Sequence, residues 1–316
     1  MKKFNLAFFG TPDICIPCLE LLDSHQFINL KLVVSMPDRP KGRGKKMSSP
    51  EVASWAKEKN VNLIQTANIN KDDEFKLFVT ENKIDVIIVF AFSQFLGKFI
   101  LEIPSIGCFN IHTSILPKYR GAAPIQYAIL NGDQNTGVSI QKMVKKMDAG
   151  DICKFNQCEI DQEDTSELLY NKLKLKSAEL LNDFITDIKN EDIHYIVQDE
   201  SKVTFAPVIK KEQGCINFAE ENSTQIINRF KAFTPWPGTY FYLNDKRIKI
   251  IEIVADNSKL KAGTVSTDFN SLLIGTKTDT LRVKTLQLEG KKPCSDIDFI
   301  NGFKNTINQF LITEKP

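Results

Sequence analysis

The sequence predicts an α/β protein: a doubly wound N-terminal domain followed by a smaller, β-rich C-terminal one. Three observations carry this. Short apolar runs alternate with segments of helical pattern through the first half of the chain. Residues 85–90 (DVIIVF) are apolar almost throughout, as an interior strand of a parallel sheet buried on both faces is. Beyond about Asp187 the pattern changes to short strand-like runs separated by turn residues.

Taken in order, residues 5–9 (NLAFF) form an apolar run ending at Gly10 and predict a buried strand, with 16–22 (IPCLELL) the helix after it. Residues 30–34 (LKLVV) predict a second strand, 52–58 a helix, 61–64 a short strand, and 108–111 (CFNI) another strand after a glycine. The first strand-turn carries Gly10 alone. It lacks the G-x-G-x-x-G spacing that brings backbone amides to a pyrophosphate, which disfavours a dinucleotide oxidoreductase despite the topology. Residues 190–206 are mixed and polar and are expected to form a linker with little regular structure. Residues 224–232 predict a helix. Residues 240–243 and 246–254 predict strands separated by Asn244-Asp245, a hairpin signal. Residues 263–266, 271–276 and 280–288 continue the β pattern, so a small barrel or sandwich is expected. The expected organisation is a catalytic domain over 1–187, a linker over 188–206 and a second domain over 207–316.

Bulk properties agree with a soluble two-domain protein. The chain has 316 residues, 42% hydrophobic and 25% charged. A formal net charge of only +2 means that any nucleic-acid contact must rest on local patches. The N-terminal apolar run is broken at residues 10–13 and no cleavage site follows it, so no signal peptide is expected. No stretch is long enough to span a bilayer, which makes the cytoplasm the expected compartment. Seven cysteines in a long chain do not suggest a disulfide framework. Cys15 and Cys18 form a C-x-x-C pair, but no second pair or nearby histidine completes a zinc set. They are expected to be two small apolar residues on a helix, and no metal is expected.

The densest chemical signal is residues 110–121, NIHTSILPKYRG. It follows a predicted strand, and open α/β sheets bind ligands at the carboxyl edge. Alternation puts Asn110 and His112 on one side of that strand. An amide and an imidazole side by side can both donate to a carbonyl oxygen that is gaining charge, the electrophilic half of acyl transfer. Of the chain's three histidines, His25 and His194 lie in polar surroundings without a motif. A second signal is the acidic turn at residues 147–152 (MDAGDI). By itself it is an ordinary turn. A carboxylate from it folded toward His112 would favour and orient the imidazolium, with Asp148 the candidate and Asp151 its rival.

Residues 36–46 (MPDRPKGRGKK) hold five basic residues, Arg39, Lys41, Arg43, Lys45 and Lys46, against the single acid Asp38. Prolines and glycines forbid a continuous helix there. A solvated loop and a phosphate-contacting arm both fit the composition. Residues 233–239 (FTPWPGT) predict a stiff apolar corner, with packing favoured over base stacking by Trp236.

Together these motifs resemble the methionyl-tRNA formyltransferase family, over the length of the chain. The similarity lies in residues 9–13 (FGTPD), the basic loop with Pro37-Asp38-Arg39-Pro40 and 42–46 (GRGKK), the core of Asn110-x-His112 with residues 114–126 (SILPKYRGAAPIQ), the run 233–238, and 286–293 (LQLEGKKP). The core is shared by enzymes that use 10-formyltetrahydrofolate; the loop and the C-terminal segments narrow it. The resemblance implies a Rossmann-like N-terminal domain and an OB-type C-terminal barrel. It implies Asn110, His112 and Asp148 as catalytic residues, and contact between Ser114, Ile115, Leu116 and Pro117 and the folate co-substrate. It also implies that the loop, Arg43 foremost, enters the acceptor arm of initiator methionyl-tRNA, and that the protein is a monomer. Two departures stand out. Many relatives repeat an Asp-Gly pattern in the downstream loop, where this chain keeps only Asp148-Ala149-Gly150-Asp151 after Val144-Lys145-Lys146. Ser93 stands where relatives often have glycine. The alternatives are a related formyltransferase or hydrolase with a sugar-nucleotide amine, a purine precursor or water as acceptor, and a non-catalytic RNA-binding protein.

Overall fold

The computed structural model describes residues 3–41, 44, 46–302 and 312–313. In chain order its elements begin β1 (Phe4–Gly10), α1 (Ile16–Ser24), β2 (Ile28–Ser35), β3 (Arg39–Lys41), β4 (Lys46–Ser48), α2 (Glu51–Glu58), β5 (Leu63–Gln65), α3 (Asp73–Asn82), β6 (Val86–Phe90), α4 (Lys98–Glu102) and β7 (Gly107–His112). They continue β8 (Arg120–Gly121), α5 (Pro124–Leu130), β9 (Asn135–Lys142), β10 (Ile152–Glu159), α6 (Ser166–Lys189) and β11 (Phe205–Ala206). Last come α7 (Ser223–Ala232), β12 (Thr239–Leu243), β13 (Lys246–Asp256), β14 (Val265–Ser266), β15 (Leu273–Gly275), β16 (Thr280–Leu288), β17 (Cys294–Ser295), α8 (Asp296–Gly302) and β18 (Ile312–Thr313).

The chain divides into two compact units. One comprises residues 1–124, 135–159 and 170–207; the other comprises 125–134, 160–169 and 208–316. The first is Rossmann-like. Its sheet runs β10-β9-β7-β6-β1-β2-β5. The five strands from β7 to β5 pair in parallel, while β9 and β10 run antiparallel to their neighbours. The parallel strands are apolar for the expected reason: β6, VIIVF, is buried at every position. On one face Phe9 meets Phe75 and Phe92 edge-on at 5.6 and 5.4 Å. On the other, Phe109 meets Phe184 at 4.8 Å. Strand order reverses between β1 and β6, so the crevice beyond Gly10 and Phe90 is the switch point of this sheet.

Local chemistry sets several boundaries. Asp72 caps α3 by accepting from the Phe75 amide at 2.9 Å. In the second unit Asn222 and Gln225 form a capping box on α7. Asn244 and Asp245 adopt φ of 48° and 61°, as a two-residue hairpin between β12 and β13 requires. The second unit is an OB-type, curled antiparallel half-barrel in the order β14-β15-β16-β13-β12-β18, with β17 beside β16. Irregular register around Glu252 bends β13 against β16.

Two expectations change. The segment 190–206 belongs to the first unit. Ile196 exchanges both backbone hydrogen bonds with Ile152 at 2.9 Å, and β11 lies parallel to β8. Its polar composition conceals buried positions, Gln198 and Ala206 among them. In the 233–239 corner the packing residue is Phe233, 1% exposed, while Trp236 stands 52% exposed. Cys15 and Cys18 lie fully buried and unoxidised, and burial pushes both thiols well up from their ordinary range, as suits core residues.

Candidate active site

The strand β7 carries Asn110 and His112 to the carboxyl edge of the first sheet. Pairing with β6 sets Val89 opposite Asn110; pairing with β9 sets Gln141 opposite Asn110 and Ser139 opposite His112. His112 is 6% exposed, and its Nε2 lies 2.9 Å from the Tyr119 carbonyl oxygen. A carbonyl only accepts, so Nε2 carries the proton there and Nδ1 is the nitrogen left for chemistry. The half-buried Asn110 amide makes no hydrogen bond among the described residues, which leaves it open to a ligand.

Asp148 is the carboxylate brought to His112: its Oδ2 is 3.9 Å from Nδ1. That is long for a direct hydrogen bond. One oxygen can sit in the gap within bonding distance of both. The carboxylate is itself held, with Oδ2 accepting from the Gly121 amide at 2.9 Å and Oδ1 from Gln141 Nε2 at 3.0 Å. Asp151 makes no ion pair with His112; its carbonyl accepts from the Lys142 amide at 2.9 Å. Strain collects at this edge. Asp148 and Tyr119 adopt φ of 50° and 62°, rarely populated without glycine. Gly150 explains the turn that presents Asp148, because a Cβ there would stand 1.7 Å from the Lys142 carbonyl oxygen.

Behind Asp148 lies a polar network that the sequence pattern does not announce. Gln198 Nε2 donates to the carbonyls of Asp148 and Gly150 at 2.9 and 2.6 Å. Its Oε1 accepts from Arg120 Nε and a terminal guanidinium nitrogen at 3.1 and 2.8 Å. Arg120 is 1% exposed and also reaches Glu200 at 2.8 Å, which Lys146 meets at 2.9 Å. These two donors pull the Glu200 carboxyl down to about 2. Gln141 had no clear signal, since it is one of several polar residues in β9, NTGVSIQK. Gln198 had none, since it lies in the polar stretch expected to be a linker.

Of the four residues expected to contact folate, Ser114 and Leu116 are buried, whereas Ile115 and Pro117 are half-buried and offer side-chain surface. The Ser114 hydroxyl donates to the Lys118 carbonyl at 2.6 Å and thereby closes the turn. The basic loop is a hairpin. Arg39 and Lys46 lie on paired strands β3 and β4, and the backbone of Lys41 pairs with that of Lys46. Arg43, Lys45 and the Lys41 side chain lie outside the described residues. Among the described residues no group of three or more His, Cys, Asp or Glu is placed to hold a metal ion, and no helix is long and apolar enough to cross a membrane.

A Rossmann-like sheet that carries an amide and an imidazole two residues apart at its carboxyl edge, with a carboxylate facing the imidazole, presents the groups that acyl transfer calls for. Comparison with known proteins narrows this. Residues 4–185 match the formyl transferase family and residues 208–304 the formyl transferase C-terminal domain. The methionyl-tRNA formyltransferase of Bacillus velezensis is 38% identical over 304 residues, covering 94% of each chain. An N-formyltransferase from Helicobacter canadensis, solved with folinic acid and dTDP-3-aminofucose, has the same fold at TM-score 0.64, with 20% identity over 90% of this chain and 99% of its own. HypX from Aquifex aeolicus, solved with tetrahydrofolic acid, aligns at TM-score 0.61 and 13% identity over 96% of this chain, which spans 48% of HypX. The chain belongs to the methionyl-tRNA formyltransferase family and is a formyl-transferring enzyme.

Proposed function

We propose that the protein moves the formyl group of 10-formyltetrahydrofolate to the α-amine of methionine on initiator tRNA, in the cytoplasm, with Asn110, His112 and Asp148 as its catalytic residues. The observation that carries the chemistry is the placement of Asn110 and His112 two residues apart on β7, with His112 Nδ1 facing Asp148 across 3.9 Å. The amine lone pair attacks the formyl carbon on folate N10. The carbonyl oxygen becomes an oxyanion, and Asn110 and the His112 imidazolium donate hydrogen bonds to it. Asp148 supplies the counter-charge. A water in the gap between Asp148 and His112 relays the proton lost by the amine. The tetrahedral carbon then expels N10, which leaves with a proton as tetrahydrofolate, and the amide product remains.

The acceptor reading rests on different residues. The basic hairpin, with Arg39, Lys41, Arg43, Lys45 and Lys46, would contact phosphates of the acceptor arm, and Ile115 and Pro117 would contact the folate. The test supplies 10-formyltetrahydrofolate with charged initiator tRNA, charged elongator tRNA or free methionine. Rapid formylation of the first alone is expected. Equal use of free methionine would remove tRNA from the reading.

A further inference from the structure

A pocket of about 270 Å³ opens at the carboxyl ends of β1, β2 and β6, and the chemistry above makes no use of it. Thr11 and Pro12 from the turn after β1, Met36 and Pro37 from the turn after β2, and Ser49 and Pro50 from the foot of the hairpin are half-buried around it. Arg39, Glu51 and Ser93 stand exposed at its rim. It lies at the switch point, on the same sheet edge as His112. The strand β1 is two positions from β7, or about 10 Å at the usual strand spacing.

The walls are held in place. Gln94 Nε2 donates to the Met36 sulfur at 3.2 Å and to the Thr66 carbonyl at 2.8 Å. Gln65 Nε2 donates to the Met36 carbonyl at 3.1 Å and to Asp38 at 2.7 Å. Ser49 donates to the same Asp38 oxygen at 2.8 Å, which ties the two roots of the hairpin together. The cavity is therefore preformed and does not await a ligand to shape it. Thr11 Oγ1 is buried and has no hydrogen-bond partner among the described residues.

These features select an occupant. No aromatic ring lines the pocket, so it offers no stacking platform for a nucleobase. The two charged residues are confined to the rim, which disfavours a charged side chain inside. At about 30 Å³ per water the volume corresponds to roughly nine waters, ample room for an amino-acid side chain. A methionyl side chain fits that space. Prolines and a fixed methionine suit an unbranched, polarisable chain.

We propose that this pocket receives the thioether side chain of the acceptor methionine, with the amine directed along the sheet edge toward His112; this rests on the acceptor reading above. The test measures single-turnover formylation of one initiator tRNA body charged with methionine, norleucine, ethionine, valine or glutamate. The unaltered enzyme is expected to use norleucine nearly as well as methionine, and valine and glutamate at least about tenfold less well. Met36→Ala enlarges the pocket and is expected to raise the ethionine-to-methionine rate ratio about tenfold; Thr11→Leu narrows it and is expected to lower that ratio. Equal rates for all five amino acids, or an unchanged ratio in whichever of these variants folds, would overturn the pocket assignment while leaving the acceptor reading intact. Failure to formylate any charged tRNA would instead overturn that reading.

Discussion

His112 shows how one backbone contact limits the chemistry of a residue. Because Nε2 is spent on the Tyr119 carbonyl, the nitrogen facing Asp148 is Nδ1. Both Tyr119 and Asp148 hold left-handed backbone conformations to make this arrangement, a cost that packing elsewhere in the unit offsets. Asn110 and His112 were legible in the sequence because strand alternation alone puts them on one side. The choice between Asp148 and Asp151 was not legible, since it depends on how the turn folds back. The structure sets Asp148 at His112, so Asp148→Asn is expected to lose at least about a hundredfold in kcat. Asp151→Asn should stay within a few-fold of the unaltered enzyme, and a reversed order in the two rates would move the role to Asp151. Gln141→Leu leaves one carboxylate oxygen without its donor and is expected to lower kcat while sparing the KM for tRNA.

At the scale of elements, the five parallel strands of the first sheet, with α1 and α2, were legible in the sequence, since parallel strands buried on both faces read as continuous hydrophobic segments. What escaped were α3, α4, β9, β10 and α6, and above all the segment 190–206. Its few buried residues are spaced too irregularly to show a period, yet Gln198 and Glu200 brace the turn that presents Asp148. The Glu200 carboxyl is held at about 2 against an ordinary 4.5 by Arg120 and Lys146. A depressed carboxyl stabilises the fold fully above about pH 4.5, and that contribution is lost as pH falls toward 2. The melting temperature of Glu200→Gln should therefore lie below that of the unaltered protein at neutral pH, with the gap closing between pH 4.5 and 2; a gap independent of pH would contradict the ion-pair account. Gly150→Ala meets the Lys142 carbonyl and is expected to destabilise at the upper end of the usual range of ~0.5–3 kcal/mol, as chemical denaturation would show. For the basic hairpin, Arg43→Ala should weaken tRNA use and reduce its salt dependence without changing folate affinity. An unchanged salt slope would make the hairpin an ordinary surface feature.

For the whole molecule, an α/β unit and a β-rich unit were both foreseeable from the change of pattern near residue 187, while their Rossmann-like and OB-type character came from the family resemblance. The division itself is less simple than a single cut, because residues 125–134 and 160–169 group with the C-terminal unit. No local pattern reports such long-range grouping. The three proposed catalytic residues all belong to the first unit. The most direct measurement of the central claim is therefore kcat for formylation of charged initiator tRNA by Asn110→Ala and His112→Ala, with circular dichroism confirming that each is folded. Losing one oxyanion donor costs ~3 kcal/mol, so each should fall at least about a hundredfold at saturating folate and tRNA. Near-normal turnover by either folded variant would contradict the account.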